Sequence, residues 1–96
     1  MPELQRISNS MLSRDLYKDS IEGAIMETTY VDGSLTSIVW KDELNNVIRT
    51  DTYTYSSDSI TETITELRTL ASNGTTLETI TVFDLDGNII SGISND

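Results

Sequence analysis

The chain has 96 residues with six Lys plus Arg against sixteen Asp plus Glu, a formal charge of −10, and neither His nor Cys. That length suits one domain. The missing residue types exclude disulfides, thiol nucleophiles, imidazole bases and ordinary zinc sites. The acidic balance would repel nucleic acid, and no apolar run approaches the ~20 residues that span a bilayer.

Residues 1–26 hold three of the six cations and all three Met. Leu4, Ile7 and Met11 fit helical spacing, as do Leu12 and Leu16, but the two sets do not share one stripe. Pro2 suits a first helical turn, whereas Ser8, Asn9, Ser10 and Ser13 weaken a helix interior. This part is expected to be an arm, short-helical or extended, ending near Gly23. The opening Met1-Pro2-Glu3-Leu4-Gln5-Arg6 lacks the basic start and apolar core of a signal peptide, so the expected compartment is the cytosol.

From Glu27 onward the chain is rich in Thr, of which it has fourteen, and turns recur at nearly even spacing. Asp32-Gly33-Ser34 separates METTYV from LTSIVWK, and Asp42-Glu43-Leu44-Asn45-Asn46 leads to VIRTDTYTY. Ser57-Asp58-Ser59 precedes ITETITELRTL, Ser72-Asn73-Gly74 precedes TTLETITVF, and Asp84-Leu85-Asp86-Gly87-Asn88 precedes IISGI. Asp-Gly and Asn-Gly between β-branched runs are strong hairpin signals, because these residues accept the positive φ of primed turns. The reading is a mainly β protein: an antiparallel meander of about six strands over residues 27–96, preceded by the arm of residues 1–26. LTSIVWKDELNNVI from Leu35 aligns with LETITVFDLDGNII from Leu77 at five positions, a likeness that shared turn chemistry suffices to explain.

Alternation divides each strand into two sides, and few sides are cleanly apolar. Val47, Arg49, Asp51, Tyr53 and Tyr55 oppose Ile48, Thr50, Thr52, Thr54 and Ser56. Such a sheet needs a covering layer, from its own N-terminal segment or from other chains. Trp40, Ile38, Phe83, Ile80 and Val82 are the candidates for the covered surface. Trp40 is either an interface anchor or packs under the N-terminal segment against Leu12 or Leu16.

Candidate chemistry is sparse. Asp84, Asp86 and Asn88 have the i, i+2, i+4 oxygens of a calcium loop, but Gly87 is fourth instead of sixth and Asn95 stands where the closing Glu belongs, so a hairpin turn is the better reading. Glu62 and Glu66 share a face without any sign of a cleft, and charges that guard an edge strand against aggregation explain them as well. Tyr53, Tyr55, Trp40 and Tyr30 could form a stacking platform, or simply pack across strands. Neither catalysis nor a cofactor is expected.

The stretch YTYSSDSITETITELRTLASNGTTLETIT resembles, in its Tyr/Thr strands and short Ser-Asp and Asn-Gly turns, the small Thr-rich β-meander structural proteins of tailed bacteriophages. The resemblance implies a non-enzymatic virion component of tail, baseplate, fibre or capsid surface. It would assemble in the host cytoplasm with its own copies and with other virion proteins, without nucleic acid or membrane. It carries no site residue with it. The alternative is a small acidic inhibitor, a nucleic-acid mimic whose carboxylates occupy a basic surface.

Overall fold

The structure, a computed structural model, describes residues 15–95. Expectations that fall on Leu4, Ile7, Met11 and Leu12 lie outside the described residues. Six strands follow in chain order: β1 (Ile25–Val31), β2 (Ser34–Lys41), β3 (Val47–Ser57), β4 (Thr61–Leu70), β5 (Thr76–Asp84) and β6 (Ile89–Asn95). They form one sheet in the order β1-β2-β3-β4-β5-β6, every neighbour antiparallel, which is the meander read from the turns. β1 starts two residues ahead of the compositional break at Glu27.

Turn chemistry sets the hairpins. Asp32 and Gly33 have φ of 51° and 83°, so Val31 and Ser34 pair across a two-residue turn with both central residues left-handed. Asp tolerates that region, and Gly enters it without a Cβ penalty. Gly33→Ala is expected to cost about 1–2 kcal/mol, read as a lower urea midpoint at unchanged slope.

The repeat seen in the sequence has a structural counterpart. In the β2–β3 loop the Asp42 carboxylate accepts from the Leu44 and Asn46 amides, both at 2.9 Å, and from Asn46 Nδ2 at 3.3 Å. In the β5–β6 loop Asp84 accepts from Asp86 at 3.0 Å, from Asn88 at 2.9 Å and from Asn88 Nδ2 at 3.2 Å. Both loops also place a left-handed residue at the same position, Asn45 and Gly87. The two segments therefore share one five-residue turn, built by an Asp that folds its carboxylate over the loop amides.

Register assigns the two faces, since directly paired residues point the same way. One face, here the front, carries Trp40 beside Arg49 and Leu70, then Ile38 beside Asp51, Arg68 and Leu77, then Tyr53 beside Glu66 and Thr79. The back face carries Val39, Thr50 and Thr69 in one row, Ser37, Thr52, Leu67 and Glu78 in the next, and Thr54, Thr65, Ile80 and Ile93 beyond. The front face is the covered one: Asp15–Tyr17 make one helical turn and Leu16 is 1% exposed. Leu16 forms an apolar cluster with Leu70 and Leu77. Among the described residues nothing lies over the back face, and only Leu16, Trp40, Leu70 and Leu77 are buried apolar side chains.

Candidate functional site

A network of polar side chains lies where residues 15–19 cross the front face. Arg49 and Asp51, two apart on β3, point to the same side and are 0% and 1% exposed. They form a two-pronged ion pair, Nε to Oδ1 at 2.7 Å and Nη2 to Oδ2 at 2.8 Å. Asp51 Oδ2 also accepts the Trp40 indole N–H at 2.9 Å, and the Arg49 guanidinium lies 5.3 Å from the Trp40 ring centroid. The other Arg49 nitrogen donates to the carbonyls of Asp15 and Lys18, at 2.7 and 2.6 Å. Arg49 thus joins the sheet to the backbone of the covering segment.

Arg68 repeats the device one strand over. Its Nη1 donates to the carbonyls of Leu16 and Lys18 at 3.1 and 3.0 Å, and its Nη2 to Asp19 Oδ1 at 2.9 Å. Arg68 Nε is 2.9 Å from Glu66 Oε1, a charge contact whose alignment falls short of a hydrogen bond, which leaves that N–H the unsatisfied buried donor of the network. Burial disfavours the Arg68 charge. The Asp19 hydrogen bond and the Glu66 and Asp51 carboxylates more than offset it, holding the guanidinium above its ordinary range. Glu66 Oε2 accepts the Tyr53 hydroxyl at 2.6 Å. Burial, then that bond and the Glu66 charge, push the phenol well above its usual value. Apart from Asp19, whose side chain is fully exposed, these groups are largely buried and hold one another.

The candidates from the sequence are distributed as follows. Trp40 is buried on the front face; Ile38 and Phe83 share that face and are half-buried. Leu16 belongs to the covering segment and clusters with Leu70 and Leu77. Ile80 and Val82, grouped with Trp40 in the sequence reading, are half-buried on the back face, because β5 alternates them away from Leu77 and Phe83. Glu62 and Glu66 stand on β4, an interior strand, so protection of a sheet edge does not account for them. Among the described residues there is no cleft between them or elsewhere. The aromatic groups do not gather into one platform: Trp40 is beneath Arg49, the Tyr55 hydroxyl bonds the Leu35 carbonyl at 2.6 Å, and Tyr30 is exposed on the outermost strand β1.

Composition does not single out Arg49, Asp51 and Arg68 as a unit, because the cations are scattered along the chain. A signal was nonetheless present in the text. Arg49-x-Asp51 and Glu66-x-Arg68 are opposite charges at the strand period, so each pair shares a face.

Three turn carboxylates contribute to the acid dependence of the fold. Loop amides and side chains lower the pKa of Asp42 (chiefly the Asn46 amide), Asp58 (the Ile60 and Thr61 amides) and Asp84 (the Asn88 amide) from the ordinary 3.8. A depressed folded-state pKa stabilises the fold above the unfolded value, and that contribution disappears as pH falls through the folded one. Melting temperature is therefore expected to fall as pH drops below 3.8, and the triple variant D42N/D58N/D84N to flatten that slope.

Compared with known protein families, curated proteins and solved structures, the chain matches none.

Proposed function

We propose that this chain is a non-enzymatic structural component of a tailed-phage virion, of tail, baseplate, fibre or capsid surface, working through oligomerisation and docking on neighbouring virion proteins. It would assemble in the host cytoplasm. The observation that carries the reading is a sheet face with no covering layer among the described residues, set between two exposed outer strands, every residue of β1 and of β6 being exposed. Outer strands offer unpaired backbone donors and acceptors that proteins acting alone usually protect. β6, Ile89–Asn95, has no charge and no Pro to do so. The Tyr/Thr strand style shared with phage structural proteins supplies the context.

Charge placement favours this reading over an acidic nucleic-acid mimic. A mimic needs carboxylates in line on one exposed face, whereas here Asp42, Asp58 and Asp84 are engaged in turns and Asp51 and Glu66 are paired with arginines. Mass spectrometry of purified particles from the encoding phage tests the proposal: peptides of this chain are expected at stoichiometric level, and their absence would overturn it. Competition with DNA for a basic host enzyme, abolished by salt, would favour the mimic instead.

A further inference from the structure

We propose that the back face of the sheet is a two-fold interface with a second copy of this chain, closing two single-layer sheets into a sandwich. This deepens the oligomer part of the reading above. It is tested on purified protein, whereas membership of a particle is tested on particles, so the two can fail separately.

Three observations lead to it. The first is asymmetry of cover: the N-terminal segment occupies the front face through Leu16 and the carbonyls held by Arg49 and Arg68, while the back face has no layer among the described residues. The second is charge. In a chain of net charge −10, the back-face positions of β3, β4 and β5 are Thr, Ser, Leu, Ile and Val apart from Glu78 and, at the turn, Asp84. On β1 and β2 the back-face Glu27 and Lys41 neutralise each other at 2.9 Å. Depletion of charge in the middle of a surface marks an interface more reliably than apolar content does. It also lets two acidic chains meet face to face with little repulsion across the contact.

The third is area. Six strands about 4.8 Å apart and roughly eight residues long at ~3.3 Å per residue present on the order of 750 Å². A standard stable interface buries ~800 Å² per partner. Leu67, Ile80, Val82 and Ile93 would interdigitate with the partner's threonines across a layer ~10 Å thick. A two-fold passing near Thr65, at the centre of the patch, sets that residue against its own copy.

Sedimentation of the full chain is expected to give twice the 10.7 kDa monomer mass. The dimer should tighten as salt rises, because screening relieves repulsion between acidic chains joined by a charge-poor face. Thr65→Arg is expected to weaken the dimer at least 100-fold, with the β circular dichroism retained. Because the native chain has no Cys, single-cysteine variants supply a second measurement that a folding failure in Thr65→Arg does not compromise. Under mild oxidation Thr65→Cys is expected to cross-link into a covalent dimer, and Thr81→Cys on the front face to stay monomeric. A wild-type monomer at all concentrations would overturn the proposal. So would cross-linking through Ser94→Cys on the outer strand β6 without cross-linking through Thr65→Cys, a pattern that denotes edge-to-edge pairing.

Discussion

Replacing Arg49 by Met is expected to destabilise the fold by about 3–5 kcal/mol, the range for removing one partner of a buried ion pair. Total stability of a domain this size is ~5–15 kcal/mol, so the variant would sit near the edge of folding. The substitution leaves Asp51, 1% exposed, without its counter-charge, and takes the donor from the carbonyls of Asp15 and Lys18. Apolar replacement of both ions is often neutral elsewhere. Here it is not expected to be, because the Trp40 N–H and the two carbonyls would still lack partners. R49M/D51L should therefore recover only part of the loss. Urea denaturation followed by circular dichroism measures all three proteins, and full recovery in the double variant would show that the bonds to the covering segment contribute little.

Trp40→Ala should lose folding before it loses assembly. Truncating a buried Trp costs ~3–5 kcal/mol, and this indole is 5% exposed, stacked under Arg49 and bonded to Asp51. Trp40→Phe separates the terms, keeping a ring under the guanidinium and removing the N–H. Its expected cost is ~1.5–3 kcal/mol, as for a hydrogen bond to a charged group. Equal stabilities of Trp40→Phe and the native chain would mean that the indole N–H is not bonded in solution.

How far the sequence discloses this molecule depends on the range of the interactions concerned. The meander is legible because its signals are local: Asp32-Gly33 specifies a primed turn within two residues, and Thr, Ile and Val between the turns leave little but strand. Face assignment is legible too, since alternation along β3 already separates Arg49, Asp51 and Tyr53 from Thr50 and Thr52.

The identity of the covered face is where the reading by hydrophobicity runs out. It groups Ile80 and Val82 with Trp40, whereas the buried side chains of that face include two arginines and an aspartate. Their burial depends on carbonyls at Asp15, Leu16 and Lys18, more than thirty residues before Arg49 and about fifty before Arg68. Such pairing cannot be read from periodicity, which reports what a strand faces only through its own residues. The calcium-like spacing of Asp84, Asp86 and Asn88 shows the opposite limit. The Asp42 loop folds the same way with Leu44 at the middle position, so the oxygen there is dispensable and the pattern encodes a turn in which the first Asp caps the amides that follow it.

The central claim is that the front face is closed by the chain's own N-terminal segment, leaving assembly to the other face. Fluorescence of the one tryptophan in the chain, followed through dilution, tests this most directly. Trp40 is predicted to emit at short wavelength and resist acrylamide quenching at every concentration, including those at which sedimentation finds only monomer. Arg49→Met should make it quenchable. A red shift and loss of protection of the native chain on dilution to monomer would contradict the account, because another chain would then be what covers Trp40.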